Sequence, residues 1–432
     1  MSRQFAFPYL AVHFDKNGRA TSDLSALPTT SDVLIISHGW NNDEHEAQTL
    51  YDELLGNIEK LRGNELPDGR ALSVIGIFWP SKKFRFADRD EDARGPAAAV
   101  GGSYPAGDRQ VEKALSNLRM AFQDEGTDKQ VTVDEIVRLT AHRHDDAAFD
   151  NGTELVRKLR QLLSDTEPSR LDWSREFMSA GDASYVFKKA ADTPSSAKQQ
   201  VVIGGPAASI REMLTQIDNG FENLLNLTSY YKMKARAGMV GKEGVAPLID
   251  EIAIAAPVRY IHLVGHSFGA RLVTAAAMTS TTGKLYSMSL LQAAFSHHGF
   301  GEVDQTGKYP PGYFRSVIEQ RRVRGPILVT YSEHDGAVGK AYAIASRMSG
   351  DTSADLGGKT DLYGGMGANG ALRVGEAFLN PAMFSLGATY SPYSFIAGRI
   401  HNLKSDTFIS GHSDVRNPEV AWAVGQAIIS AN

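Results

Sequence analysis

A chain of 432 residues, 42 % of them apolar, is long enough for one large domain with an insertion or for two domains, with a sizeable core. Its net charge of −5 excludes the basic footprint of a nucleic-acid or anionic-membrane binder. The absence of cysteine excludes disulfides, a thiolate nucleophile and a zinc site built on sulfur.

The first 14 residues carry neither a long apolar h-region nor a cleavage site. No apolar run reaches the roughly 18 residues of a membrane-spanning helix. A cytoplasmic protein without a stable membrane anchor is expected. Residues 5–14 read as a strand, and Asp15-Lys16-Asn17-Gly18 is a turn signal that would start a hairpin. Val33-Leu-Ile-Ile-Ser37 is a continuously apolar strand of the kind buried on both faces. It runs into His38-Gly39-Trp40-Asn41-Asn42, with the two asparagines placed to cap a helix over 44–61. A second such strand spans 72–79 and stops at Pro80.

From 81 to about 200 the chain becomes more charged and loses its strand patterns. Helices are expected at 111–122, 133–139 and 153–163, with a Gly/Ala/Pro loop at 95–107. Residues 81–200 therefore read as a mainly helical cap inserted into a core made of 1–80 and 201–432. In the second part of that core a long amphipathic helix is expected at 209–237 and another at 247–255. Strands follow at 260–264, 287–295 and 326–331, then a helix at 338–347, an irregular glycine-rich stretch, a last strand at 406–409 and a helix at 418–429. Strands alternating with helices predict a mostly parallel sheet covered on both faces.

Between the strand at 260–264 and the helix that follows lies Gly265-His266-Ser267-Phe268-Gly269, a G-x-S-x-G pentapeptide in strand–turn–helix context. Such a turn lifts the serine hydroxyl clear of the sheet and sets the Phe268 N–H at a helix N-terminus, where an oxyanion is stabilised. A serine is a poor nucleophile without a base that is itself oriented by an acid. On this architecture the partners come later, acid before base, in loops at the carboxyl ends of strands. Asp335, in Ser332-Glu-His-Asp-Gly336 after the strand at 326–331, is the expected acid, with Glu333 its local rival. His412, in Ser410-Gly-His-Ser413, is the expected base; His401, placed before the last strand, is its rival. The loop after the strand at 33–37 would supply the second oxyanion donor, the Trp40 N–H, with Gly39 allowing close approach. Trp40 as plain core is the alternative. His38, Gly39 and His297 are expected to contact substrate.

Other features carry less. Gly364-Gly-Met-Gly-Ala-Asn-Gly370 has neither the preceding strand nor the Lys-Ser/Thr of a phosphate cradle and reads as a loop. His142-Arg-His144 and His297-His298 lack a third ligand at a defined spacing, so no metal site and no cofactor is expected.

With these residues the chain resembles the α/β-hydrolase superfamily, specifically its serine esterases and lipases. The resemblance rests on His38-Gly39-Trp40, the pentapeptide around Ser267, Asp335 with Val338, and Gly411-His412. The chain also looks like a poorly characterised bacterial group of such hydrolases, through His38-Gly-Trp-Asn-Asn42, Trp79-Pro-Ser81, the run 231–237 and Gly411-His-Ser-Asp414. The resemblance covers the sheet but not 81–200, and it implies an eight-stranded sheet. The expected function is cleavage of carboxylic esters, soluble or short-chain, through an acyl-enzyme. A peptidase, thioesterase or acyltransferase on the same triad remains open, as does a binding protein that has lost catalysis.

Overall fold

The computed structural model of the protein describes residues 5–431 except 26, 28–29, 63–65, 82–105, 173, 180, 195–205, 256, 305, 308, 339–341, 343, 345–347, 349–357 and 379–384. Residues 95–105 of the loop expected at 95–107 and most of the helix expected at 338–347 lie outside the described residues; residues 106 and 107 begin a helix and not a loop. The chain forms two compact units. The first comprises 1–81, 169–173 and 233–432, the second 82–168 and 174–232. The sequence reading drew this division at 200; in the structure it falls inside a helix, at Lys232.

The first unit is an α/β structure. Its strands are β1 (Tyr9–His13), β2 (Asp32–Ser37), β3 (Leu72–Phe78), β4 (Tyr260–His266), β5 (Leu285–Leu291), β6 (Ile327–Tyr331), the two-residue β7 (Ala377–Phe378) and β8 (Ile400–Lys404). They form one sheet in the order β1-β3-β2-β4-β5-β6-β8-β7. Every pairing is parallel. All residues of β2 and β3 are buried, which explains their unbroken apolar runs: both faces of a parallel sheet are covered. On one face Leu34, Ile36 and Val74 pack with α1 (Glu44–Arg62) and the C-terminal helix Pro418–Ile429. The helix Phe268–Thr279 after β4 packs instead with the π-turn Val240–Val245 and the helix Ala246–Ile254.

Three expectations are corrected. The strand at 5–14 begins only at Tyr9 and pairs parallel to β3, and the turn at 15–18 leads to a single antiparallel bridge, Phe14 to Ala20, so no hairpin extends from it. Helix α1 is capped not by Asn41 or Asn42 but by Asp43. Its carboxylate accepts from the Glu46 N–H at 2.9 Å, and the Glu46 carboxylate accepts from the Asp43 N–H at 2.8 Å, a capping box. The last strand is residues 400–404 and not 406–409. A buried polar residue hid it: Asn402 points into the fold and exchanges hydrogen bonds with the Ala371 backbone, at 2.7 and 3.0 Å. The strand at 287–295 likewise leaves the sheet after Leu291.

The amino end of this sheet is closed by a buried polar cluster. Asp32 at the start of β2 is bonded by the Arg70 guanidinium and, at 3.0 Å, by His262 Nε2 of β4. His262 Nδ1 meets the Ser287 hydroxyl of β5 at 2.7 Å. Arg70 also donates to the carbonyls of Ile428 and Ala431, tying the end of the chain to the sheet.

Among its described residues the second unit is helical: α2 (Ala106–Phe122), α3 (Thr127–Ala141), α4 (Ala148–Leu162), α5 (Ser174–Ser179), α6 (Ala183–Ala191) and α7 (Pro206–Met239) as far as Lys232. Helices α2, α3 and α4 start at 106, 127 and 148, each about one and a half turns before the 111, 133 and 153 that apolar periodicity predicts. Their first turns carry Asp108, Asp128 and Asp150, which suit a helix N-terminus but give no apolar signal. The apolar stripe Val111, Ala114, Leu115, Leu118 and Phe122 is wholly buried. Phe187 sets its edge against Phe149 and Phe221 to centre the rest of the core. No helix among the described residues is long and apolar enough to cross a membrane.

Candidate functional site

The register of the sheet gathers the sequence-selected residues at one edge. Ser37 pairs with Gly265, His266 with Leu291, and Tyr331 with Lys404, so β2, β4, β5, β6 and β8 end at about the same level. The segments that leave them carry Gly39, Ser267, Gln292, Asp335 and His412. Between β2 and β4 the strand order reverses. The helix after β2 covers one face of the sheet and the helix after β4 packs in a different cluster, so the two outgoing loops diverge, as they do at the switch point of open parallel sheets.

Ser267 stands at that switch point. Its backbone, at φ +57° and ψ −123°, lies outside the regions an L-residue prefers, and it is held there by two hydrogen bonds. The Ser267 N–H donates to the Leu291 carbonyl at 3.0 Å and the Ala294 N–H donates to the Ser267 carbonyl at 3.2 Å. The turn is so tight that a β-carbon at Gly265 or Gly269 would overlap backbone atoms of the Gly269–Ala270 turn or of Ser37 and His38. Gly39 lies directly across: a β-carbon there would come within 2.6 Å of Ser267 Cβ and 3.2 Å of its hydroxyl oxygen.

The three residues expected from sequence to act together are in line. His412 Nε2 is 2.8 Å from Ser267 Oγ, and His412 Nδ1 is 3.0 Å from each carboxylate oxygen of Asp335. A carboxylate only accepts, so Nδ1 carries the proton and Nε2 is left to accept from the serine hydroxyl. Asp335 is 2 % exposed, whereas His412 keeps a solvent-facing edge. Asp335 further accepts from the Val338 N–H at 3.1 Å and from the Gln292 side-chain amide at 3.1 Å. Glu333 turns away to an ion pair with Lys404 at 3.0 Å. His401 lies within β8, fully buried, its Nε2 against the Ile396 backbone at 3.0 Å, and not in a loop before the last strand.

The remaining expected residues divide. The Trp40 ring is half-buried, 6.0 Å from the Phe268 ring, and Phe268 is the first residue of the helix after Ser267. His38 and His297, expected to meet substrate, are instead turned into the fold. His38 Nδ1–H donates to the Gly39 carbonyl at 2.9 Å and Nε2 accepts from the Trp79 N–H at 3.4 Å. Burial pushes its pKa down to about 4, so it is neutral near pH 7. His297 is fully buried, its Nε2 on the Asp361 carbonyl at 3.1 Å and its Nδ1 facing the Asn369 amide at 3.1 Å. Its position just after a strand suggested a pocket wall; the chain turns inward there instead.

Two residues at the site had no sequence signal beyond position. His266 Nε2–H donates to the His412 carbonyl at 2.9 Å, which fixes the loop that carries the imidazole. Burial, with the neighbouring His412 ring, lowers its pKa to about 3. Gln292 is the other; its neighbours are spread over 75 residues of chain, so only the fold reveals them.

In the second unit Asp108, His144 and Asp218 bring ligand atoms within 4.8 Å of one another. Arg143 occupies the space between the two carboxylates, bonded to Asp108 and, at 2.8 Å, to Asp218, with His144 Nε2 also 2.8 Å from Asp218. The guanidinium already neutralises the charge a cation would need, and the cluster reads as an ion-pair network. Comparison with protein-family models, with curated proteins and with solved structures finds no match to this chain.

Proposed function

We propose that the protein is a serine hydrolase of the α/β-hydrolase fold that cleaves carboxylic esters through an acyl-enzyme. The observation that carries this reading is the unbroken line from Ser267 Oγ through the His412 ring to the Asp335 carboxylate, with the serine on a strained turn at a strand's carboxyl end. His412 Nε2 takes the hydroxyl proton as Ser267 Oγ bonds to the ester carbonyl carbon. The carbonyl oxygen becomes an oxyanion received by the backbone N–H groups of Phe268 and Trp40. Asp335 holds the imidazolium that forms. His412 then returns the proton to the departing alkoxide, and the alcohol leaves. Water repeats the sequence on the acyl-enzyme and releases the carboxylic acid. Each oxyanion donor in such a site contributes about 10²–10³ in rate, and no step calls on a metal or organic cofactor.

Soluble or short-chain acyl esters are the proposed substrates. Helices that open onto lipid present a broad apolar face. The apolar stripe of α2 is instead spent on the core of its own unit, and the exposed apolar side chains there, such as Val131, Phe149 and Tyr185, lie on three different helices. Labelling with a fluorophosphonate tests the reading, since the probe bonds only to an activated serine: the wild-type chain takes up the probe and Ser267→Ala does not. A panel of nitrophenyl esters of rising chain length tests the substrate class. Short chains are favoured, with no jump in rate when micelles are added; a preference for long chains with interfacial activation would make the protein a lipase.

A further inference from the structure

Gln292 is the first residue after β5, the strand between those that carry Ser267 and Asp335. It is fully buried, and its backbone lies at φ +44°, a left-handed conformation uncommon for a non-glycine residue. Its side-chain nitrogen is 3.1 Å from Asp335 Oδ2 and 3.0 Å from the Gly367 carbonyl oxygen. Both neighbours can only accept, so the NH₂ group must face them. The side-chain oxygen is then turned into the protein, where it meets no partner among the described residues. A strained backbone and an unpaired buried oxygen are both unfavourable, and both fall on the side chain that joins His412 in donating to Asp335.

The surroundings are built to hold this contact. The Gln292 N–H donates to Thr330 Oγ1 of β6 at 3.1 Å. The Gly367 N–H donates to the Ala293 carbonyl at 2.9 Å, and the Gly367 carbonyl also accepts from the Ser332 N–H at 2.9 Å. A β-carbon at Gly367 would lie 2.6 Å from Asp335 Oδ2 and 2.7 Å from the Gln292 carbonyl carbon. The glycine-rich run 364–370, which as a sequence suggests only a loop, thus closes over the acid.

We propose that Gln292 is a positioning residue: its amide, backed by Gly367, clamps Asp335 in the orientation in which both carboxylate oxygens face His412 Nδ1. The proposal rests on the hydrolase reading for its kinetic consequence, though the clamp itself does not. Removing one hydrogen bond to a charged group, while keeping the shape, separates the two roles.

The test uses the full chain with Gln292→Met, which keeps the shape and loses the donor, and Gln292→Glu, which donates only when protonated. Read together are kcat, KM, the rate of fluorophosphonate labelling, Tm, and the low-field proton resonance of His412 Nδ1–H against Asp335. Gln292→Met lowers kcat and the labelling rate by about 10–100-fold, leaves KM within about twofold, and moves the resonance. For Gln292→Glu, the ratio of its rate to that of the wild type rises as pH falls from about 8 to about 5, because the protonated side chain regains the donor. A Met variant with wild-type labelling and an unmoved resonance overturns the proposal. So does a loss that appears only as a lower Tm with an unchanged rate per folded molecule. If the Met variant does not fold, the Glu variant decides: a ratio flat with pH overturns the clamp. A wild-type chain that neither labels nor turns over any ester sinks the hydrolase reading instead, and the resonance then still reads the clamp.

Discussion

The parallel sheet holds an Asp-His-Ser line at each of its two ends, and the two differ in everything around them. At the carboxyl edge His412 bridges Asp335 and Ser267; at the amino edge His262 bridges Asp32 and Ser287 with distances of 3.0 and 2.7 Å. The residue types are the same and the spacings nearly so. The difference lies in what surrounds them. Ser267 sits on a strained turn after its strand, while Ser287 is a strand residue directly beside His262 in the register, with no such turn. His412 has a solvent-facing edge; His262 has none. Asp335 is held by neutral donors, whereas Arg70 neutralises Asp32. Burial alone would raise the pKa of Asp32, but hydrogen bonds from His262 and Arg70 outweigh it and hold the carboxyl below its usual range. A hydrogen-bonded triad is therefore not in itself a catalyst. Under the proposed hydrolase reading, the solvent-facing edge of His412 and the strained turn that carries Ser267 distinguish the two.

Mutations at matching positions break the comparison most sharply. Ser267→Ala and His412→Ala should each lower kcat by about 10⁴–10⁶ with the fold intact, and ester hydrolysis with a thermal melt reads both. Their counterparts should act on stability alone. Asp32→Ala leaves the Arg70 charge buried without its partner and should cost about 3–5 kcal/mol, while activity per folded molecule stays at the wild-type level. Equal activity losses at both ends would mean that the amino-end cluster takes part in the reaction.

Next in size is Gly39→Ala. The added methyl must push Ser267 or the Trp40 loop aside, and misplacement of a reacting group by about 1 Å can cost about 10²-fold in rate. The loss should appear in kcat/KM of a nitrophenyl ester without a matching fall in Tm; an unchanged rate would mean that the loop after β2 yields freely.

The pH dependence of stability follows from the buried histidines. His38, His266 and His298 have pKa values lowered to about 4, about 3 and about 4, chiefly by burial, and His262 is lowered by burial despite Asp32. Unfolded histidines bind a proton near pH 6.5. The stability these groups contribute is thus fully present above that pH and is lost as pH falls toward their folded values. Each costs up to about 1.4 kcal/mol per pH unit across that window. Urea unfolding at pH 7, 6 and 5 should show falling midpoints; a flat or rising series would contradict neutral burial. The smallest effect belongs to His401→Ala: kcat should change less than about twofold, since the ring bonds the Ile396 backbone and packs on Phe395.

How far the sequence could be read depended on whether a signal was local. The turn around Ser267 was legible because glycine, serine and glycine must stand at fixed offsets for a strand to reverse into a helix within one residue. The strands β2, β3, β4 and β6 were legible because burial on both faces demands mostly apolar runs. Strand β8 was misplaced because Asn402 satisfies its polar groups on a backbone 31 residues away, which no local pattern records. The helices α2, α3 and α4 of the second unit were legible but shortened at their acidic first turns.

By itself the sequence determined the α/β alternation and the strand–turn–helix at Ser267, since each depends on neighbours in the chain. Only the tertiary structure decided which histidine reaches the serine, that His38 and His297 turn inward, that Gln292 and Gly367 close on Asp335, and that a second Asp-His-Ser line is sealed at the far end of the sheet. Those outcomes depend on strand register and burial, which bring together side chains far apart in sequence and set whether water or a substrate can reach them.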